Sequence, residues 1–158
     1  MRTPPPVPLT DWAADQRPGR LSLHASAAAL GDRGVLILGA SGTGKSHLTL
    51  ELLSRGARLI ADDGVWVDIS GPAPFLERPD TATDLIECRG IGLLRGGPIR
   101  GRADLMLAID LDRAEPERLP PRRMVTVAGV ARPLIWGQGH PTLPTAVVHM
   151  LRHGRETP

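Results

Sequence analysis

The 158-residue sequence predicts one α/β domain, with a central β-sheet flanked by helices, on three observations. A short apolar run of strand type, residues 35–38, leads into a glycine-rich octapeptide and then a helical pattern. The next apolar run, residues 58–61, ends on two aspartates. Further strand-like runs, separated by turn signals, continue to a final helical segment at 142–154. This alternation of strands and helices is typical of α/β proteins.

The octapeptide fits the pattern G-x-x-x-x-G-K-[ST], the phosphate-binding P-loop. Its residues are Gly39, Ala40, Ser41, Gly42, Thr43, Gly44, Lys45 and Ser46. Small residues let successive backbone N–H groups face a phosphate, and the following helix adds its positive dipole end. Lys45 is the chain's only lysine, beside eighteen arginines, and its compact ammonium can reach the β- and γ-phosphates. We expect the octapeptide to bind ATP, with the Ser46 hydroxyl as a Mg²⁺ ligand.

The elements around the P-loop have recognisable signals. Residues 1–20 are rich in proline and predict a poorly ordered arm or an edge segment, which leaves residues 21–158 as the P-loop domain. Apolar residues alternate over 21–30, which predicts a strand that forms a hairpin with the P-loop strand. After Ser46 the apolar positions are spaced as in a helix, and Gly56 is placed to end it.

The segment after the first helix carries the second strong signal. Residues 58–61 predict a buried strand with Asp62 and Asp63 at its carboxyl end. P-loop enzymes use a carboxylate at the tip of a neighbouring strand to hold Mg²⁺ or to orient a nucleophile. The bland alternative is an acidic turn beside Gly64.

The remainder predicts mainly short strands and connections. Residues 65–69 alternate as in a strand, and 71–84 are predicted to be a loop. The later predictions are a basic glycine-rich loop at 95–102, a strand at 105–111, one or two strands at 124–136, and a helix at 142–154. The 95–102 loop is either a contact for an acidic partner or neighbouring subunit, or a flexible connection.

Composition excludes several classes of function. Aromatic residues make up 3%, which predicts an aliphatic core. A net charge of +2 with dispersed basic residues does not predict nucleic-acid binding. The sequence has no apolar run long enough to span a membrane. It has one cysteine, Cys88, so it cannot form a disulfide within the chain. We therefore expect a cytoplasmic protein.

Three motifs together resemble the C-terminal catalytic domain of the bacterial HPr kinase/phosphorylase. They are the P-loop at 39–46, Leu-Ile-Ala-Asp-Asp at 59–63 and Ile-Glu-Cys-Arg-Gly-Ile-Gly at 86–92. Their order and separations match the family's G-x-S-G-x-G-K-S, L-x-A-D-D and L-E-I-R-G-x-G-I patterns. The resemblance covers residues 21–125, and the chain looks like the short, single-domain form of proteobacteria.

The resemblance implies a role for each matching residue. Asp63 matches the proton acceptor that activates a serine of the protein substrate, and Asp62 is a supporting carboxylate. Lys45 matches the phosphate-binding lysine, and the Mg²⁺ ligands are Ser46 and Glu87. Two further catalytic matches are His24, on the strand before the P-loop, and Arg118, the family's late active-site arginine.

By the same resemblance, the partner is an HPr-like phosphocarrier protein and the assembly is a homo-oligomer, a hexamer in the family. Residues 132–140 differ from the family's segment used in phosphorolysis, so the sequence supports kinase activity better than phosphorylase activity. Two other classes stay open. A small-molecule kinase or plain NTPase would use ATP without a protein acceptor, whereas a nucleotide-sensing regulator would bind ATP without catalysis.

Overall fold

The computed structural model describes residues 2–156. Two α-helices are present in this part of the chain, α1 (Lys45–Ser54) and α2 (Leu143–His153), together with a 3-10 helix at Leu9–Trp12. The strands are β1 (Val7–Pro8), β2 (Ala13–Arg17), β3 (Arg20–Leu23), β4 (Ser26–Leu30), β5 (Arg33–Leu38), β6 (Arg58–Ala61), β7 (Val65–Asp68), β8 (Phe75–Glu77), β9 (Leu85–Cys88), β10 (Gly92–Arg95), β11 (Arg102–Asp110), β12 (Met124–Val127) and β13 (Val130–Trp136). The predicted α/β class is confirmed.

One large sheet contains all of these strands except β9 and β10, which form a separate hairpin. Strand β5 carries the P-loop and lies between β4, which is antiparallel to it, and β11, which is parallel. The long β11 has β5 along one edge. Along its other edge β11 pairs with β8 near its start and with β13 near its end. The sheet therefore divides at β11 into two arms, β8-β7-β3-β2 and β13-β12-β1.

The two faces of the sheet bury different parts of the core. From β5, Val35 and Ile37 join the cluster that α1 and α2 complete, so both helices cover the same face. Leu36 and Leu38 point to the other face, where strands of the curled sheet pack against one another together with Leu9. The buried hydrophobic residues are all Ala, Val, Leu or Ile, which confirms the predicted aliphatic core.

Gly34 lets the P-loop strand approach β11 closely. A Cβ atom at this position would lie 2.6 Å from the Asp104 carbonyl oxygen and 2.8 Å from Leu76 Cδ1. We predict that Gly34→Ala lowers the free energy of unfolding by about 2 kcal/mol, since a backbone oxygen cannot move aside. Urea unfolding measures this effect. Gly71→Ala is the matched control, because an added Cβ there meets nothing within 4 Å, and an equal loss in both variants would contradict the explanation.

Residues 7–20 correct the expectation of a poorly ordered arm. Strands β1 and β2 lie at opposite ends of the large sheet, and Leu9 between them is fully buried. Since β2 pairs with β3 across residue 20, the sheet has no boundary at that position. The alternative of an edge segment describes residues 7–17. An edge strand leaves half of its N–H groups unpaired, so proline is tolerated there.

Two further expectations need correction. The predicted strand over 21–30 is interrupted by a bend at His24 and Ala25, and only β4 forms the hairpin with β5. The predicted loop at 71–84 contains β8, which pairs with both β7 and β11. Three residues between prolines and glycines give no readable pattern, and the pairing depends on distant neighbours. Both predicted helices are confirmed.

The 95–102 segment is held by contacts within the chain. The Arg100 guanidinium donates to Asp32 Oδ1 at 2.6 Å, and Arg102 pairs with Asp68 at 2.8 Å and Glu77 at 2.9 Å. Hydrogen bonds from Ser70 and then Arg102 lower the pKa of Asp68 to about 2. These contacts fasten the junction between β11 and the arm that begins with β8.

Candidate active site

The P-loop connects the carboxyl end of β5 to the first residue of α1. Gly42 and Gly44 have φ angles of 84° and 99°, in the left-handed region that glycine adopts without a steric penalty. Gly44 is also the residue before the helix, and no side chain caps the first N–H groups of α1. Uncapped N–H groups and the positive dipole end make this helix start a binding site for an anion such as phosphate.

The Lys45 ammonium lies over the start of the loop. Its Nζ donates to the Gly39 carbonyl at 2.9 Å and to the Ala40 carbonyl at 3.0 Å. The Thr43 hydroxyl donates to the same Ala40 oxygen at 2.7 Å. The only lysine of the chain is therefore held beside the loop whose N–H groups can bind phosphate.

Asp62 joins the P-loop to the end of β6. Its carboxylate accepts hydrogen bonds from the Ser46 hydroxyl at 2.9 and 3.0 Å and from the Ser26 hydroxyl at 2.6 Å. Ser26 is 1% exposed, so it supports Asp62 from a buried position. A hydroxyl and a carboxylate at this separation are the oxygen donors that Mg²⁺ selects when it also binds phosphate oxygens.

Asp63 follows with a strained backbone. Its φ angle of 60° lies in the left-handed region, and its side chain is exposed toward the cavity at the P-loop. Aspartate tolerates this conformation better than most residues, yet the conformation still costs free energy. Such conformations are concentrated at functional sites, and Asp63 is one of the residues that line this cavity.

The β9-β10 hairpin, which packs against α1, forms another part of the cavity wall. Glu87, Cys88 and Arg89 line the same cavity of about 410 Å³ as Lys45 and Asp63. The other residues of its lining are Ser26, Ser41, Gly42, Gly44, Ser46, His47, Leu50 and Asp62. The cavity thus combines three carboxylates with a lysine and an arginine, a mixture suited to a phosphate ester with a divalent cation.

Two predicted catalytic residues lie outside this cavity. His24 is exposed at the bend between β3 and β4, two residues before Ser26. Arg118 lines a different cavity of about 520 Å³ with Trp136 and with the ion pair of Glu115 and Arg123. The two hydrogen bonds from Arg123 lower the pKa of Glu115. The catalytic roles of His24 and Arg118 stay predictions that rest on the family resemblance.

The structure adds residues that the sequence interpretation did not select. Ser26 supports Asp62 from a buried strand, and Arg89 lines the cavity beside Glu87. Asp110 is the last residue of β11, and Asp112 follows it beside the P-loop, where its Oδ1 accepts the Ala40 N–H at 3.0 Å. Burial raises the pKa of Asp110. Acidic residues at the end of a strand were the signal used for Asp62 and Asp63, and the same signal identifies this second pair.

No group of three or more His, Cys, Asp or Glu side chains is arranged to hold a metal ion by itself within residues 2–156. The donors beside the P-loop are instead those of a Mg²⁺ site completed by phosphate oxygens. In the same part of the chain, no helix has the length and apolar composition of a membrane span.

Comparison with known proteins gives consistent matches. The HPr serine kinase C-terminal domain model matches residues 17–119. An HPr kinase/phosphorylase of Azoarcus sp. (strain BH72) is 36% identical over 80% of this chain and 43% of the relative. One from Cupriavidus metallidurans (strain CH34) is 41% identical over 64% of this chain and 34% of the relative. The chain thus spans less than half the length of these curated relatives.

A solved structure of the same kind of protein has a similar fold. The Hpr(Ser) kinase/phosphatase from Coxiella burnetii superposes with a TM-score of 0.67 at 26% identity, over 83% of this chain and 88% of the other. The matched segment includes the P-loop, Asp62, Asp63 and Glu87. The chain belongs to the HPr serine kinase C-terminal domain family.

Proposed function

We propose that this protein is an ATP-dependent serine kinase whose substrate is an HPr-type phosphocarrier protein of a phosphotransferase system. The main observation behind this proposal is the hydrogen bond from Ser46 to Asp62. This bond joins the P-loop to the end of β6, where Asp63 also lies. The names of the relatives, HPr kinase/phosphorylase, support the choice of reaction and substrate. A cytoplasmic location and assembly into a homo-oligomer belong to the same proposal.

The P-loop binds the phosphates of ATP in this proposal. The N–H groups from Gly42 to Ser46 surround the β-phosphate, and the Lys45 ammonium, which the Gly39 carbonyl holds, reaches the β- and γ-phosphates. Ser46, Asp62 and Glu87 are the candidate oxygen donors for Mg²⁺, which when bound neutralises charge on the phosphate oxygens. Arg89 is placed to offset the charge of the transferred group.

Asp63 supplies the base. A serine hydroxyl is a poor nucleophile, and a carboxylate within hydrogen-bond reach accepts its proton as the oxygen attacks the γ-phosphorus. The new bond joins the serine oxygen to phosphorus, the bond to the β-phosphate oxygen breaks, and ADP leaves. The products are phosphoserine, ADP and one proton, which Asp63 first holds. The exposure of Asp63 at the cavity mouth suits a substrate as large as a protein.

The residues support the kinase reaction better than its reverse, phosphorolysis by inorganic phosphate. Within 132–140, the segment that differs from the family pattern, Arg132 donates to the Leu105 carbonyl at 2.6 Å. Its guanidinium is thus used to hold β13 against β11. Forward and reverse rates with the same HPr preparation measure both activities.

The direct test uses the purified chain with [γ-³²P]ATP, Mg²⁺ and HPr from the same genome. Label on a serine of HPr is the expected result. ATP hydrolysis at the same rate with and without HPr, with no label on HPr, would identify an NTPase instead. ATP binding without any turnover would identify a nucleotide sensor or a kinase whose acceptor is a small molecule. Each of these two outcomes would overturn the proposed function.

We predict that Ser26→Ala reduces the rate of HPr phosphorylation by about tenfold, since Asp62 then loses its buried support. The lost hydrogen bond also lowers the free energy of unfolding by about 1 kcal/mol. Ser70→Ala is a matched control, because its hydroxyl makes an equally short bond, 2.6 Å, to Asp68 away from the cavity. The measurement is the steady-state rate of HPr phosphorylation. Equal rates for Ser26→Ala and the unaltered protein would contradict the role of Ser26.

A further inference from the structure

The peptide group between Gly39 and Ala40 is held at both of its ends by charged side chains. Its N–H, from Ala40, donates to Asp112 Oδ1 at 3.0 Å. Its carbonyl, from Gly39, accepts from Lys45 Nζ at 2.9 Å. An anion at the N–H end and a cation at the carbonyl end both act favourably on the peptide dipole. One peptide group therefore links the Asp112 carboxylate to the Lys45 ammonium.

Asp112 is in turn fixed to the end of β11. The Leu111 N–H donates to the Leu38 carbonyl at 2.9 Å, which continues the parallel pairing of β5 and β11 up to the start of the loop. The Asp112 N–H donates to Asp110 Oδ1 at 2.9 Å, and Asp110 is 3% exposed. Arg113 Nε lies 3.6 Å from the other Asp110 oxygen. A continuous series of hydrogen bonds therefore links the buried Asp110 carboxylate, through Asp112 and the Gly39–Ala40 peptide, to Lys45.

We infer that Asp112 is a positioning residue of the P-loop, which holds the Gly39–Ala40 peptide so that Lys45 and the loop N–H groups are arranged for a triphosphate. The inference rests on the proposed function in that the ligand is ATP. Asp112 is absent from the lining of the cavity at the P-loop, so it acts through Ala40 and not by contact with the nucleotide.

The negative charge of Asp112, taken alone, predicts the opposite effect on the affinity for ATP. A carboxylate close to a triphosphate repels it, so removal of Asp112 would by charge alone tighten ATP binding. Removal of the hydrogen bond has the reverse effect, because the peptide can rotate and the loop loses its arrangement. An asparagine keeps an oxygen acceptor without the charge, whereas an alanine keeps neither. The two variants therefore separate geometry from charge.

The experiment measures the Kd of ATP with Mg²⁺ for Asp112→Asn, Asp112→Ala and the control Asp104→Ala. Asp104 is a carboxylate near the other end of β11. We expect about tenfold weaker binding for Asp112→Ala, and binding within about threefold of the unaltered protein for Asp112→Asn and for the control. Thermal unfolding identifies any general loss of stability. Tighter or unchanged binding by Asp112→Ala, or an equal loss in both Asp112 variants, would overturn the inference.

A second measurement needs neither ATP nor HPr. Lys45 is the only lysine, so endoproteinase Lys-C can cut this chain only after Lys45, at the start of α1. We expect Lys-C to cut Asp112→Ala about tenfold faster than Asp112→Asn or the unaltered protein, with equal rates of cleavage at arginine by trypsin. Equal Lys-C rates would overturn the inference. If the unaltered protein fails to phosphorylate HPr while Asp112→Ala shows these changes, the proposed function fails and the positioning role stands.

Discussion

Lys45→Ala is expected to lower the rate of HPr phosphorylation by about a thousandfold. The ammonium is the one cation held on the P-loop itself, within 3.0 Å of the loop carbonyls, and it has the reach to follow charge onto the transferred phosphoryl group. Since ATP in the bound state also contacts this charge, the KM for ATP should rise as well. Initial rates with labelled ATP and HPr measure both effects.

Lys45→Arg tests whether charge alone is sufficient. The guanidinium keeps the positive charge but is planar and wider, so it cannot enter between two phosphates as the compact ammonium does. We expect it to recover no more than about a tenth of the lost rate. Thermal unfolding should be nearly unchanged in both variants, because Lys45 lies on the surface of the loop and not in the core. Alanine and arginine variants that turn over like the unaltered protein would remove Lys45 from the mechanism.

The parts of the site predicted from sequence depend on local signals. The P-loop, α1 and the end of β6 follow one another within 30 residues, and each has its own pattern of glycines, apolar spacing or paired aspartates. Local chain geometry determines such elements, so single-sequence patterns are sufficient. The motif at 86–92 needed the family resemblance, because Glu87 alone looks like an ordinary strand carboxylate.

The parts that were missed depend on pairing between distant segments. Nothing in the sequence indicates that β11 pairs with β5, β8 and β13 together, and this pairing brings Asp112 to the P-loop. Ser26 likewise becomes a partner of Asp62 only because β4 lies between β5 and β6. The strand β8 has three residues, too few for a periodic pattern. Register and strand order come from tertiary packing, which one sequence does not display.

Asp63→Asn is expected to lower the rate of phosphoryl transfer by about a thousandfold with little change in the affinity for ATP. An amide cannot accept the proton of the serine hydroxyl, whereas the P-loop contacts of the nucleotide do not involve this side chain. Asparagine adopts the left-handed conformation as readily as aspartate, so a φ of 60° should be kept and the fold undisturbed. Rates under single-turnover conditions and a separate ATP titration distinguish chemistry from binding.

Asp63→Gly separates the chemistry from the backbone strain at the same position. Glycine has no Cβ and occupies the left-handed region freely, so the strain that Asp63 carries is removed in the folded state. Part of this gain is offset because glycine makes the unfolded chain more flexible. We expect the variant to be as inactive as Asp63→Asn and to unfold at the same urea concentration as the unaltered protein or a higher one.

If Asp63→Gly is instead clearly less stable than Asp63→Asn, the backbone is not strained at this residue. If either variant transfers phosphate at the normal rate, the base is a different group. Suppose that both variants are inactive and that Asp63→Gly keeps the full free energy of unfolding. The left-handed conformation at Asp63 would then serve the direction of its carboxylate and not the stability of the fold.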